Sequence, residues 1–256
     1  MKIINKFIIP FSHCSGGDFN MNYIKIFFAA LFTIIIFNSC RKEENNDSYI
    51  LEEKFVDNVH IGRQSKSKVE VKKFTNLKTR DTFVLVVFYD LKKIWVESKD
   101  GYFHHWEQTH CYYFDKDGIT GINAEISDFN GDGFKDFTYQ SGIAGRGGNT
   151  IRKLFIYDPK SKEFIYIRNS DYYPNLSYNS DLKCINSLIL TGSTITSFLK
   201  IKDDSLDEFA RVDVSDKILV EEKDSLGKFR IIEERKFTGN DEDFYRTYKN
   251  YKPLEF

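Results

Sequence analysis

From about residue 50 to residue 237 the chain alternates short apolar runs with turn residues, and no long 3.6-residue period appears between residues 60 and 235. Thr82 to Tyr89 (Thr-Phe-Val-Leu-Val-Val-Phe-Tyr) is a continuous apolar run. It predicts a strand buried on both faces. Lys93 to Glu97 reads as a second short strand, followed by a turn at Ser98-Lys99-Asp100-Gly101, and Asp117-Gly118 marks another turn. Further on, Ile151–Tyr157 and Glu163–Arg168 flank Asp158-Pro159-Lys160-Ser161-Lys162, where proline presets the turn and no strand continues. Ser187–Leu190 and Ser193–Ile201 flank Thr191-Gly192, and Lys217–Glu222 and Lys228–Lys236 flank Asp224-Ser225-Leu226-Gly227. Many short strands at this spacing predict one all-β domain of antiparallel strands, whether sandwich, barrel or propeller.

The two ends break this pattern. At residues 238–256, Phe244, Tyr248 and Tyr251 fall at i, i+4 and i+7 behind the caps Asn240 or Asp241. That spacing predicts a short helix laying an aromatic face on the domain, the alternative being a partner-binding tail. At the other end, Met21-Asn22-Tyr23-Ile24-Lys25 leads into an apolar run from Ile26 to Phe37, then Asn38-Ser39-Cys40. A basic start, a short apolar stretch and a small residue before the cleavage point make an export signal over residues 1–39. The run falls well short of the roughly 20 residues that cross a bilayer as a helix. Met21 is the better start, because residues 1–20 resemble no signal segment.

Phe37-Asn38-Ser39-Cys40 resembles a bacterial lipobox, whose cysteine is lipidated and becomes the first residue of the exported chain. The charged run Arg41 to Asp47 resembles the export tag of bacterial surface lipoproteins and suits a flexible tether over residues 40–49. The resemblance implies a lipid on Cys40 and a place on the outer membrane, at its periplasmic face or the cell surface. Ordinary signal cleavage beside a chance cysteine is the plainer alternative.

Composition narrows the function. Losing residues 1–39 removes three lysines and one aspartate, leaving 34 basic and 37 acidic side chains and a net charge of −3. That balance carries no electrostatic footprint for nucleic acid. An aromatic fraction of 16% with only four prolines favours strands over disorder. Of the four cysteines, Cys14 precedes Met21 and Cys40 is the lipid site. Cys111 and Cys184 remain; an oxidising compartment allows them to pair, though apolar runs like theirs commonly bury a free thiol instead.

The sharpest local signal is Asp128-Phe129-Asn130-Gly131-Asp132-Gly133-Phe134-Lys135-Asp136. Oxygen-bearing side chains occupy positions 1, 3, 5 and 9, with glycine at position 6. Calcium takes six to eight hard oxygen ligands, and alternate residues of a tightly curled loop turn their oxygens inward. Asp128, Asn130 and Asp132, the Phe134 carbonyl, and Asp136 directly or through water form the expected Ca2+ ligand set, with Gly133 permitting the sharp turn. Phe129 and Phe137 are placed to pin the loop to the core. The alternative is a polar turn of Asx type without an ion. An EF-hand is excluded, because its position-12 glutamate is here Tyr139 and the flanks, Ile122–Ile126 and Phe134–Tyr139, are strand-like.

Asp-Phe-Asn-Gly-Asp-Gly-Phe-Lys-Asp-Phe resembles the calcium loops of FG-GAP and VCBS repeats, which join strands in β-propellers. Together with Leu154 to Phe164, it is similar to a narrower group of Gram-negative lipoproteins carrying a single calcium loop. The resemblance spans mainly residues 122–168. It implies a small five-bladed propeller and, for some members, inhibition of lysozyme-like peptidoglycan hydrolases as immunity proteins.

Other constellations carry less. Gly142 to Asn149 is glycine-rich but lies between two strand candidates and lacks the Lys-Ser/Thr ending of a phosphate cradle. It reads as a mobile loop next to the calcium site, with Arg146 as a candidate partner contact. His104 and His105 fall on opposite faces of a strand and cannot ligate one zinc ion together. The acid pairs are sequence neighbours, which does not aim two carboxyls at one substrate. The expectation is therefore a non-enzymatic, calcium-binding envelope module; the second reading is a hydrolase inhibitor, and the third an unrecognised hydrolase.

Overall fold

The computed structural model describes residues 48–96 and 101–255. The signal segment, Cys40, the tether up to Asp47 and the turn residues Ser98-Lys99-Asp100 lie outside them. The first sheet is the meander β1 (Tyr49–Asp57), β2 (Ser67–Asn76), β3 (Thr82–Val96) and β4 (Gly101–Lys116). The second is the meander β5 (Glu125–Ser127), β6 (Asp136–Ala144), β7 (Asn149–Asp158) and β8 (Glu163–Ile167). The third has six strands: β9 (Leu176–Asn179), β10 (Cys184–Leu190), β11 (Thr194–Lys202), β12 (Ser205–Val214), β13 (Lys217–Lys223) and β14 (Phe229–Lys236). Every pairing between strands is antiparallel and joins neighbours in sequence. The protein is all-β. Each sheet has the up-and-down course of a propeller blade, but three sheets of unequal width stand where the family resemblance implied five blades.

The middle sheet is buried on both sides. Phe137, Tyr139, Phe155, Tyr157 and Phe164 face the first sheet and share a core with Val69, Val71, Val84, Val86 and Phe88. Leu154, Ile156 and Ile167 point the other way, into a core with Ile185, Leu199 and Leu206 of the third sheet. This follows from the period of two along a strand, which sends successive side chains to opposite faces. Leu154-Phe155-Ile156-Tyr157 is apolar at every position, as a strand covered on both sides requires. The third sheet closes its outer face with Phe244, Tyr248 and Tyr251 from the chain's end.

Several expected boundaries move. Thr82–Tyr89 is a strand with buried residues on both faces, but β3 does not stop there. It continues through Lys93 to Val96, because β4 supplies partners along its whole length. β2 stops pairing at Asp90, so Leu91–Val96 and Gly101–Trp106 project as a two-stranded ribbon. β1, β2 and β12 are strands that no apolar run announced. In β2, the buried Val69 and Val71 alternate with the part-exposed Lys68, Glu70 and Lys72.

The terminal helix is a single turn, α1 (Glu242–Tyr245). Tyr248 and Tyr251 do not extend it; they face each other in an isolated β-bridge. Their burial holds even so, with Tyr248 donating to Asp243 Oδ1 at 3.1 Å and Tyr251 to Glu222 Oε1 at 2.6 Å. Cys111 and Cys184 do not pair. Cys111 is buried on β4 of the first sheet, while Cys184 is a free buried thiol packed with Phe198, Ala210 and Tyr251 in the third. Burial pushes the Cys184 thiol up to about 11, so it stays protonated.

Phe88 stands where the first two sheets meet, fully buried, with Phe164 stacked at 4.3 Å and Phe137 and Phe155 at 6.1 and 5.2 Å between ring centroids. Phe88→Ala is expected to destabilise the fold by about 3–5 kcal/mol, read as a lower midpoint in urea. A loss below about 1 kcal/mol would mean that the interface refills the cavity.

Candidate metal centre

The loop from Asp128 to Lys135 joins β5 to β6, between two strands as expected. Gly131 and Gly133 curl it through positive φ of 74° and 89°, a region glycine enters without a steric penalty. Gly131 meets a second constraint: a Cβ there would sit 1.9 Å from the Tyr178 hydroxyl oxygen on β9. Phe129 is buried between the second and third sheets, and Phe134 and Phe137 pack between the first and second. The loop is thus pinned on both sides of the middle sheet, by Phe137 and Phe129 as expected and also by Phe134, whose ring lies 5.5 Å from that of Tyr157. At its exit the Lys135 carbonyl accepts from the Gly62 N–H at 2.7 Å, tying it to the β1–β2 connection.

The oxygens of the expected ligands are turned inward onto the loop's own backbone. Asp128 accepts from the N–H groups of Gly131 and Gly133 at 2.6 and 2.9 Å. Asn130 Oδ1 accepts from the Asp132 N–H at 3.0 Å, and Asp132 Oδ1 from the Phe134 N–H at 2.8 Å. The Asn130 amide donates to Asp132 Oδ2 at 2.9 Å. These are Asx turns. Among the described residues, no three His, Cys, Asp or Glu side chains gather as a metal-holding group.

Asp136 differs from the other three. It is fully buried at the start of β6, and its two oxygens accept from the Phe129 N–H at 2.7 Å and the Tyr157 N–H at 2.9 Å. Since β6 pairs with β7 only from Phe137 onward, the carboxylate takes the place of a missing strand partner for Tyr157. Burial raises its pKa to about 7, against the two N–H donors that lower it, and the charges of Asp132 and Asp128 raise it further. Three carboxylates therefore stand near one another without a compensating base. Among the described residues Lys135, the nearest cation in sequence, makes no ion pair. All donors are hard oxygens in the order a curled calcium loop uses, so the residues fit the ion in type and sequence.

The glycine-rich segment is not beside this loop. It joins β6 to β7 at the opposite end of β6, a nine-residue strand that spans about 30 Å. Arg146 is exposed there at φ 55°. His104 and His105 lie opposite Lys93 and Lys92 respectively, on the two faces of the ribbon. Tyr178, Gly62 and Tyr157, which hold the loop from outside, had no local sequence signal, because each comes from a distant stretch of chain.

No protein family matches the chain, and no curated protein matches it. Among solved structures it is similar to a type IV secretion system related protein of Xanthomonas, at 14% identity and a TM-score of 0.42. The match covers 72% of this chain and 96% of that one. A likeness at this level carries no argument about function.

Asp136→Ala strands two buried N–H groups, each costing about 1–3 kcal/mol when left unpaired. The expected result is a lowered urea midpoint with calcium absent, and a smaller loss for Asp136→Asn, which keeps an acceptor. Equal stabilities for the two variants would show that the carboxylate does not serve as a strand partner.

Proposed function

We propose that this chain is an exported, lipid-anchored envelope protein that binds calcium in the Asp128–Asp136 loop and acts as a binding or structural module without catalysis. One observation carries the reading: a single strand connection, curled by Gly131 and Gly133 at positive φ, carries four oxygen-bearing side chains in the order of a calcium loop, the last of them buried. Asp128, Asn130 and Asp132 would hold the ion with the Phe134 carbonyl, and Asp136 would close the site directly or through water. The bound ion supplies positive charge to carboxylates that otherwise repel. The surrounding residues do the rest: Phe129 and Phe134 anchor the loop to two cores, and Asp136 joins it to β7. The ion's role is then to stiffen the joint between β5 and β6. The lipid anchor on Cys40 rests on the sequence alone.

Calcium that binds the folded chain alone raises its stability by RT ln(1 + [Ca]/Kd). The melting temperature should fall with chelator and return with calcium, and return less with magnesium. Asp132→Ala should remove the calcium response. A melt indifferent to calcium, with Asp132→Ala equally silent, overturns the calcium reading.

The projecting ribbon favours a second reading, inhibition of a lysozyme-like peptidoglycan hydrolase. Trp95 and Tyr102 lie opposite each other near its end, 52% and 60% exposed, with ring centroids 4.9 Å apart. Ile94 and Phe103 are exposed on the other face. A narrow convex ribbon with solvated aromatic rings has the shape and apolar content to enter an active-site cleft. Inhibition of a panel of such hydrolases by the exported chain should weaken about tenfold or more in the Trp95→Ala/Tyr102→Ala variant. Absence of inhibition across the panel defeats this reading, and turnover of glycan by the chain itself would replace both readings with a hydrolase.

A further inference from the structure

The β6–β7 connection is built for more than turning the chain. Gly145, Arg146 and Gly147 take φ values of 57°, 55° and 99°, three consecutive positive angles. Glycine enters this region freely, but arginine does so at a steric cost that surrounding structure must hold in place. Here Asn149 does the holding. Its amide donates to the Leu190 carbonyl at 2.7 Å, and its side-chain oxygen accepts from the Leu190 N–H at 2.9 Å, clamping the turn onto the β10–β11 hairpin. The clamp leaves no room for a side chain at position 145, where a Cβ would lie 2.5 Å from the Asn149 amide nitrogen. The backbone of the strained arginine is therefore held at a fixed place.

It is presented to a cleft. Arg146 lines a depression of about 760 Å³ between this turn, the β10–β11 turn, the β12–β13 turn and the C-terminal segment. That volume lies within the range of small-ligand sites. Asp216 lines it from the β12–β13 turn, its Oδ1 accepting from the Ser215 hydroxyl at 3.2 Å, and Phe237 and Phe244 give it an apolar side. Among the described residues neither Arg146 nor Asp216 forms an ion pair, with each other or with any other group. Elsewhere on this surface charges are commonly matched, as in Arg168 with Asp204 and Lys223 with Asp207.

We propose that this cleft binds a short peptide with free ends, Arg146 taking the terminal carboxylate, Asp216 the terminal ammonium, and Phe237 with Phe244 an apolar side chain between them. Guanidinium is the side chain suited to a carboxylate, through two parallel hydrogen bonds. The held turn fixes the backbone from which that arginine projects, so only its side-chain rotamers remain to be ordered on binding. Two unpaired opposite charges across one cleft select a zwitterion over a simple anion. The site lies at the far end of β6 from the metal loop and stands independently of calcium binding.

The test is calorimetric titration of the exported chain with three forms of one apolar tripeptide: free at both ends, amidated at the C-terminus, and acetylated at the N-terminus. The free form should bind, with amidation costing about tenfold or more in affinity and acetylation a smaller factor. Arg146→Gln should lose the preference for the free carboxylate with an unchanged melting temperature, since the residue is exposed and unpaired. Gly145→Ala, which keeps the guanidinium but displaces the turn, should weaken binding similarly. Asp216→Asn should lose the preference for the free amine. No binding of the free peptide at about 1 mM, equal binding of acid and amide, or full competition by acetate would each overturn the proposal, the last by revealing a general anion site.

Discussion

The structure depends on one constraint: the middle sheet must be covered on both faces. A four-stranded meander whose β7 is apolar at every position from Leu154 to Tyr157 has no face to give to water there, and its residues supply one side of two separate cores. The first sheet and the third each share a core with it. At about 25 cal/mol per Å² of apolar surface removed from water, the burial of aromatic rings such as Phe137, Phe155 and Tyr157 on this sheet is a leading contribution to the fold. The loop that enters β6 lies at the seam of both cores, so its conformation is coupled to all three layers.

That coupling explains why a polar loop carries a fully buried carboxyl. Asp136 sits where β6 has begun but its ladder with β7 has not, and Tyr157 would otherwise leave an N–H unpaired in an apolar setting. The two N–H donors favour its ionised form, while burial and the neighbouring carboxylates disfavour it; ionised and buried, it gains from a compensating cation. A bound ion and the folded sandwich would then stabilise one another through the same oxygens.

The two ends of β6 serve different purposes. One end is tied inward by Phe129, Phe134 and the Lys135 carbonyl. The other is tied by Asn149 to a hairpin of the third sheet and leaves its arginine facing outward. The ribbon of β3 and β4 is a third outward feature, at the end of the first sheet away from Tyr49, where β1 begins. Its aromatic rings stay exposed because β2 is too short to cover them.

The sequence by itself determined the class and the local elements. Continuous apolar runs at Thr82–Tyr89 and Leu154–Tyr157, and turn residues at Asp158–Lys162, Thr191-Gly192 and Asp224–Gly227, specify strands and hairpins through contacts between near neighbours. The spacing of Asp128, Asn130, Asp132 and Asp136 likewise encodes a curled loop, since two glycines and alternating oxygens act within nine residues. Tertiary structure decided everything that needs a distant partner. β3 runs on to Val96 because β4 pairs with it there, and the tail is one helical turn with a bridged bend because its tyrosines reach Asp243 and Glu222. Cys184 stays a thiol buried in the core of the third sheet, while Cys111 lies on the first. That Arg146 and Asp216, about 70 residues apart along the chain, line one depression follows from the layering of the second and third sheets. Periodicity reports which side of a strand is apolar, but only packing selects the surface that covers it.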